Sequence, residues 1–233
     1  MEIPILYEDN HLLIVEKPVN IPVQQDRSKD PDLLNLLKRD LKIRYNKPGN
    51  VYLSLIHRLD RPVGGAIVFA KTSKAASRLA NLLRQRKIKR NYLAVVRGSI
   101  PNKHKTLVHY LRKDGKKNEV YVVPQQMKHA KKAILHYRVL EQKKEFSLVK
   151  IELETGRSHQ IRVQFQAIGH PLFGDQKYGE RVNKPGQQIA LWANELSFVH
   201  PVRKTEVTIQ SNPPNRHPWN IWVNTLNLNT HKK

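Results

Sequence analysis

Residues 51–70, VYLSLIHRLDRPVGGAIVFA, set two apolar, β-rich runs on either side of a Pro-Val-Gly-Gly turn. Residues 51–59 and 66–70 therefore read as strands, with Gly64 permitting a tight turn between them. Just ahead of that turn Asp60 stands between Arg58 and Arg61, in a chain with 42 Lys and Arg against 19 Asp and Glu. Such an aspartate either closes a turn and is balanced by its neighbours, or is an anion held for chemistry on an anionic polymer.

Upstream, residues 4–8 (PILYE) and 12–16 (LLIVE) are short β-rich runs around Asp9-Asn10-His11 and predict a hairpin ended by Lys17-Pro18. Residues 19–31 read as loop. Leu33, Leu34, Leu37 and Leu41 recur at helical spacing, which predicts a helix over 31–44, broken by Lys47-Pro48-Gly49-Asn50. Downstream, Ser73 can cap a helix running to about Lys87. Its apolar stripe is Ala76, Leu79, Ala80 and Leu83, and its outer face carries Lys74, Arg78, Arg84 and Arg86. Residues 91–98, NYLAVVRG, read as a strand, and 106–154 as short strands between charged turns such as RKDGKKN at 112–118. Another helix is expected from Gly156 to Gly169, with Ile161, Phe165 and Ile168 as its apolar stripe. Strands return at 189–199 and 205–210. Trp219 and Trp222 sit in a short helix, after which the tail frays from about 224. The total is an α+β fold, with mostly antiparallel strands and flanking helices in a single domain over residues 1–233.

A chain of 233 residues can bury roughly 70% of its unfolded surface, enough for a core without staples. It has no cysteine, which excludes disulfides, thiolate zinc sites and a thiol nucleophile, and fits a cytoplasmic location. The N-terminus does not read as a signal peptide, and no apolar run is long enough to span a membrane. The excess charge is +23 and the pI about 10.3, a field that draws polyanions, nucleic acid before membrane. Neither a phosphate-binding P-loop nor a dinucleotide loop appears, and the 11 histidines show no metal-ligand spacing.

The remaining candidates are one aspartate, several cations and a few tyrosines. Arg58 and Arg61 are expected to lower the Asp60 pKa and keep the carboxylate ionised, as suits a nucleophile. His57, Arg58 and Arg61 in its own run are candidates for holding an RNA. Residues 153–179, LETGRSHQIRVQFQAIGHPLFGDQKYG, add Arg157, His159, Gln160 and Arg162 at the expected start of a helix, where anions are favoured. Lys74, Arg78, Lys87, Lys89 and Arg90 are candidate phosphate contacts, because they flank the helix leading into Tyr92. Tyr92 itself reads equally well as strand core. Asp175 is the best second acid for a hydrolase, although beside Gly174 a turn role is simpler.

Three segments, HRLDRPVGG (57–65), KRNYLAVVRG (89–98) and TGRSHQIRVQFQAIGHPLFGD (155–175), resemble in order and spacing the signature segments of the RluA-type RNA pseudouridine synthases. The opening ILYEDNHLLIVEKPVNIPV is similar to the start of that family's catalytic domain, and the likeness runs from about residue 4 to 212. The resemblance implies a mixed, mostly antiparallel sheet with flanking helices and a central RNA-binding cleft. It also implies conversion of uridine in ribosomal or transfer RNA to pseudouridine without cofactor or metal, by a protein read as monomeric and without an obligate protein partner. By position Asp60 is then the catalytic aspartate, Tyr92 lines the pocket against the base, Arg162 is the arginine paired with the aspartate, and Arg58 helps turn the nucleotide out of its helix. The pattern departs at Val63-Gly64-Gly65, which lacks the family's usual hydroxyl, and at Gln164, where histidine is common. The small N-terminal RNA-binding domain of many relatives is not expected. The competing reading is a basic RNA-binding or ribosome-assembly protein that keeps the fold without the chemistry.

Overall fold

The computed structural model describes residues 2–26 and 28–228. In chain order its elements are β1 (Ile5–Glu8), β2 (Leu12–Lys17), α1 (Leu33–Arg44), β3 (Ser54–Leu55), β4 (Gly64–Ala70), α2 (Ser73–Arg84), β5 (Lys89–Arg97), β6 (His104–Asp114), β7 (Glu119–Val122), β8 (Lys131–Lys143), β9 (Phe146–Leu153), α3 (Gln160–Ala167), β10 (Leu191–Val199), β11 (Glu206–Gln210) and, after a 3-10 turn at Trp219–Trp222, α4 (Val223–Leu226). The architecture is α+β with mostly antiparallel strands, as expected. Its contacts divide the chain into two compact units. The first runs up to Lys89 and includes Ala193–Ser211; the second is Arg90–Trp192 with the chain from Asn212 onward.

In the first unit β1 and β2 form the expected hairpin. The Asp9 carboxylate closes it by accepting from the amides of His11 (2.7 Å) and Leu12 (2.8 Å). β2 pairs β4 from Leu12↔Ala70 to Lys17↔Gly65, and every residue of β4 is buried. α2 lays Ala75 and Leu79 on that sheet, packing with Leu12, Ile14, Ala66 and Val68. Its cap is Thr72 rather than Ser73: the Thr72 hydroxyl accepts from Ala75 N, and the helix stops at Arg84. Ala80, expected in the apolar stripe, is exposed. α1 starts at Leu33, one residue after its cap Asp32, and buries Leu33, Leu37 and Leu41.

The expected strand over 51–59 shrinks to Ser54–Leu55, which meets only the Phe69–Ala70 end of β4. β2 and β10 flank β4, which leaves little of its edge for a third partner. The turn comes earlier than the glycines: Val63 N donates to Asp60 O at 2.9 Å, and Gly64 and Gly65 already belong to β4. Gly65 is a position that requires glycine. Its φ is +112°, and a Cβ there would stand 2.3 Å from Ala193 O.

The second unit is a meander in the order β5-β9-β8-β6-β7. β6 and β8 have 11 and 13 residues, longer than the short strands expected. α3 packs Val163 among Leu111, Val120 and Ala133, and stands Phe165 against Tyr137 with ring centroids 5.4 Å apart. The helix begins at Gln160 rather than Gly156. Gln160 Oε1 accepts from Thr155 Oγ1 and from Arg157 N, tying the preceding residues into a non-helical loop. Trp219 and Trp222 are buried as the 3-10 turn. The expected fraying past residue 224 falls partly on 229–233, outside the described residues. Among the described residues no helix is long and apolar enough to cross a membrane.

Candidate active site

Asp60 opens the Asp60–Val63 turn and is partly exposed. Neither neighbouring arginine pairs with it. The Arg61 guanidinium reaches away to Asn20 O (3.1 Å), Ser28 Oγ (3.2 Å) and the Asp30 carboxylate. Arg58 is exposed, and no hydrogen bond or ion pair holds its guanidinium among the described residues. Both flanking guanidiniums thus lie away from the expected pairing with Asp60, Arg61 on the 20–30 segment and Arg58 towards solvent.

A cation that acts on Asp60 comes from the end of β2. Lys17 is 0% exposed, and its ammonium donates to Pro18 O (2.8 Å) and Arg61 O (3.0 Å). Burial pushes its pKa down to about 7, against the charge of Asp60 and with that of Arg61. The side chain of β2 therefore pins the carbonyl next to Asp60 and puts a titrating amine in its field. No local signal marks this lysine, since EKP reads as a strand stop. His57, expected to face RNA, is buried at 7% exposure, and its Nε2 accepts from Val68 N at 3.4 Å. That contact ties it to the β4 backbone instead.

In the second unit Arg162 lies buried on α3 and is gripped by Asp175 through two hydrogen bonds of 2.8 Å each. Asp175 is 1% exposed and also accepts from Lys177 N (3.0 Å) and Tyr178 N (3.1 Å), so the turn role holds. Burial raises its pKa, but the Arg162 hydrogen bonds and charge, with those two amides, leave it below the usual carboxylate range. The Tyr178 ring lies under the Arg162 guanidinium, 5.2 Å from ring centroid to Cζ. Its hydroxyl accepts from Val120 N (2.8 Å) and meets His159 Nδ1 (2.7 Å). His159 adopts φ 50°, ψ 21° just before the helix and makes no side-chain cap. Asp175 and Tyr178 were within the quoted 153–179 segment, yet their partnership with Arg162 and His159 depends on a chain reversal that spacing does not reveal.

The other expected residues separate into two groups. Lys74, Arg78, Lys87 and Lys89 are exposed, with Arg78 also donating to Pro201 O at 3.0 Å. Arg157 is exposed and donates to Lys132 O. Gln160 is buried and structural, through Thr155, Arg157 and Ile134. Arg90, expected as a phosphate contact, is buried at 9% exposure. Tyr92 is buried on β5 opposite Ile151 of β9. Gln164 is buried and donates towards Leu107 O, His109 and Ala133 O, so the departure from histidine is absorbed within the α3 packing.

The sequence profile of the RNA pseudouridylate synthase family matches residues 11–167. The chain is 36% identical over 205 residues to an RNA pseudouridine synthase of Bacillus subtilis, itself uncharacterized, covering 86% of this chain and 65% of that protein. It is 33% identical over 233 residues to the ribosomal large subunit pseudouridine synthase D of Pseudomonas aeruginosa, covering 94% and 71%. Several of the relatives it matches are spanned over less than two thirds of their length. The solved structure of human RNA pseudouridylate synthase domain containing 4 superposes with a TM-score of 0.78 at 21% identity, over 96% of this chain and 93% of that one.

Proposed function

This chain belongs to the RNA pseudouridylate synthase family, and from that premise we propose that it isomerises uridine in RNA to pseudouridine with Asp60 as the reacting carboxylate. The observation that supports this most is the anchoring of the Asp60 turn by buried Lys17, which fixes the backbone while the aspartate stays partly exposed. The reaction breaks N1–C1′, turns the base and forms C5–C1′; the C5 proton leaves and N1 gains one, so the product is an isomer. Asp60 either attacks an electrophilic carbon or takes a ribose proton. Tyr92 is assigned the base platform, Arg162 the arginine serving the aspartate, and Arg58 the displacement of the target nucleotide, whose unstacking costs roughly a few kcal/mol.

Large-subunit ribosomal RNA is the first target class, since similar proteins carry that substrate in their names; transfer RNA is the second. The protein is read as a cytoplasmic monomer. RNA labelled with tritium at uridine C5 tests the reading: turnover releases the label to water and yields pseudouridine on nucleoside chromatography. Tight RNA binding without either signal would leave only an RNA-binding protein.

A further inference from the structure

Arg90 stands apart from the exposed cations around it. It is 9% exposed, its Nε is sealed from solvent without a hydrogen-bond partner, and no acceptor among the described residues receives its terminal nitrogens. The guanidinium lies against Gly156, where a Cβ would stand 2.5 Å from Nη1 and 3.4 Å from Cζ and Nη2. Nη1 and Nη2 are not among the sealed atoms. The slot is also rigid: Thr155 Oγ1 accepts from Ile134 N and donates to Gln160 Oε1, which accepts from Arg157 N as well. A largely desolvated guanidinium with no acceptor is costly, and folded proteins seldom keep one without a use.

Arg90 and Tyr92 are two residues apart on β5, so their side chains leave the same face about 7 Å apart along the strand. That is the scale separating a nucleotide's base from an adjoining phosphate. We infer that Arg90, in its Gly156 slot, is the receptor for one RNA backbone phosphate, the one adjoining the nucleotide whose base meets Tyr92. This rests on the RNA reading above and deepens it. The exposed lysines attract RNA without register, whereas a fixed planar fork takes two oxygens of a single phosphate and sets which nucleotide is presented.

The test uses the full chain and an oligoribonucleotide with one uridine, carrying a neutral methylphosphonate at either adjoining linkage. One of the two replacements is expected to weaken wild-type binding about tenfold and to have almost no added effect on Arg90→Met. The salt dependence of Arg90→Met should lose about 0.7–0.9 from its log–log slope, one phosphate's share. Gly156→Ala keeps the charge but pushes a methyl into the guanidinium, and should abolish the same coupling, so the test stands even if Arg90→Met folds poorly. Equal weakening of wild type and both variants by the methylphosphonate, or an unchanged slope, overturns the receptor. Because the readout is binding, a wild type that forms pseudouridine yet is insensitive to both methylphosphonates overturns this inference alone. Intact coupling without pseudouridine overturns the activity alone.

Discussion

Asp60 is flanked in sequence by two arginines and pairs with neither, while Asp175, in GDQK, has no arginine beside it and is clamped by one. Asp175 is buried, and its oxygens are taken by the Arg162 fork and two backbone amides, as befits a group that holds a loop to a helix. At Asp60 the backbone is anchored as well: its carbonyl closes a turn, the next carbonyl is held by Lys17, and the side chain is partly exposed. Adjacency of charge in a motif therefore says little about pairing.

The largest expected effect comes from removing the charge at each aspartate in turn. Asp60→Asn should lower pseudouridine formation by at least about 10²–10⁴-fold, the span of a lost acid–base or nucleophilic group, in a protein that still folds. RNA binding should persist or tighten, because a negative charge facing phosphate is gone. Asp175→Asn should do the reverse in kind: it removes the charge that the buried Arg162 fork holds through two hydrogen bonds, and stability should fall by about 3–5 kcal/mol in urea denaturation. Arg162→Ala should lower stability comparably and also lose most turnover. The contrast fails if Asp60→Asn unfolds the protein, or if Asp175→Asn leaves stability untouched.

Much of this layout was legible because it is local. The Asp9 hairpin, the α1 leucines at 33, 37 and 41, and the buried run of β4 follow from spacing and turn chemistry alone. The motif segments also pointed to the family whose profile matches residues 11–167. What spacing missed was set by partners distant in sequence. Lys17 is buried because a carbonyl 44 residues away receives it, Asp175 is reached by an arginine 13 residues back, and His57 is held by a strand amide 11 residues on. Arg90 reads as one of several candidate phosphate contacts, and its Gly156 slot is set by a residue 66 positions on.

Lys17 sharpens the comparison through pH. Its folded pKa is about 7, against roughly 10.4 for an unfolded lysine. Between those values the unfolded chain binds more protons, so stability rises with pH across the window, and below it the folded state carries the cost of a buried charge. Lys17→Met removes this dependence but leaves the carbonyls of Pro18 and Arg61 without their donor, at about 1–3 kcal/mol. The wild type's advantage over Lys17→Met should therefore be larger at about pH 9 than at about pH 6. Parallel stability profiles for the two proteins would remove Lys17 as the titrating anchor of the turn.

The smallest effect is expected where the sequence looks most suggestive, at Arg61. Its guanidinium is committed to Asn20 O, Ser28 and Asp30, and the Arg61–Asp30 pair is exposed on both sides, at 43% and 47%. Exposed ion pairs contribute about 0–1 kcal/mol, so Arg61→Ala should change stability by no more than that. The carbonyl that Lys17 grips belongs to the backbone, and alanine retains it. Turnover should consequently stay within about threefold of wild type, with any loss appearing as weaker RNA binding from a loosened 20–30 loop. A fall in turnover approaching that of Asp60→Asn, at saturating RNA, would mean that Arg61 acts on the aspartate after all and that chain adjacency was the better guide.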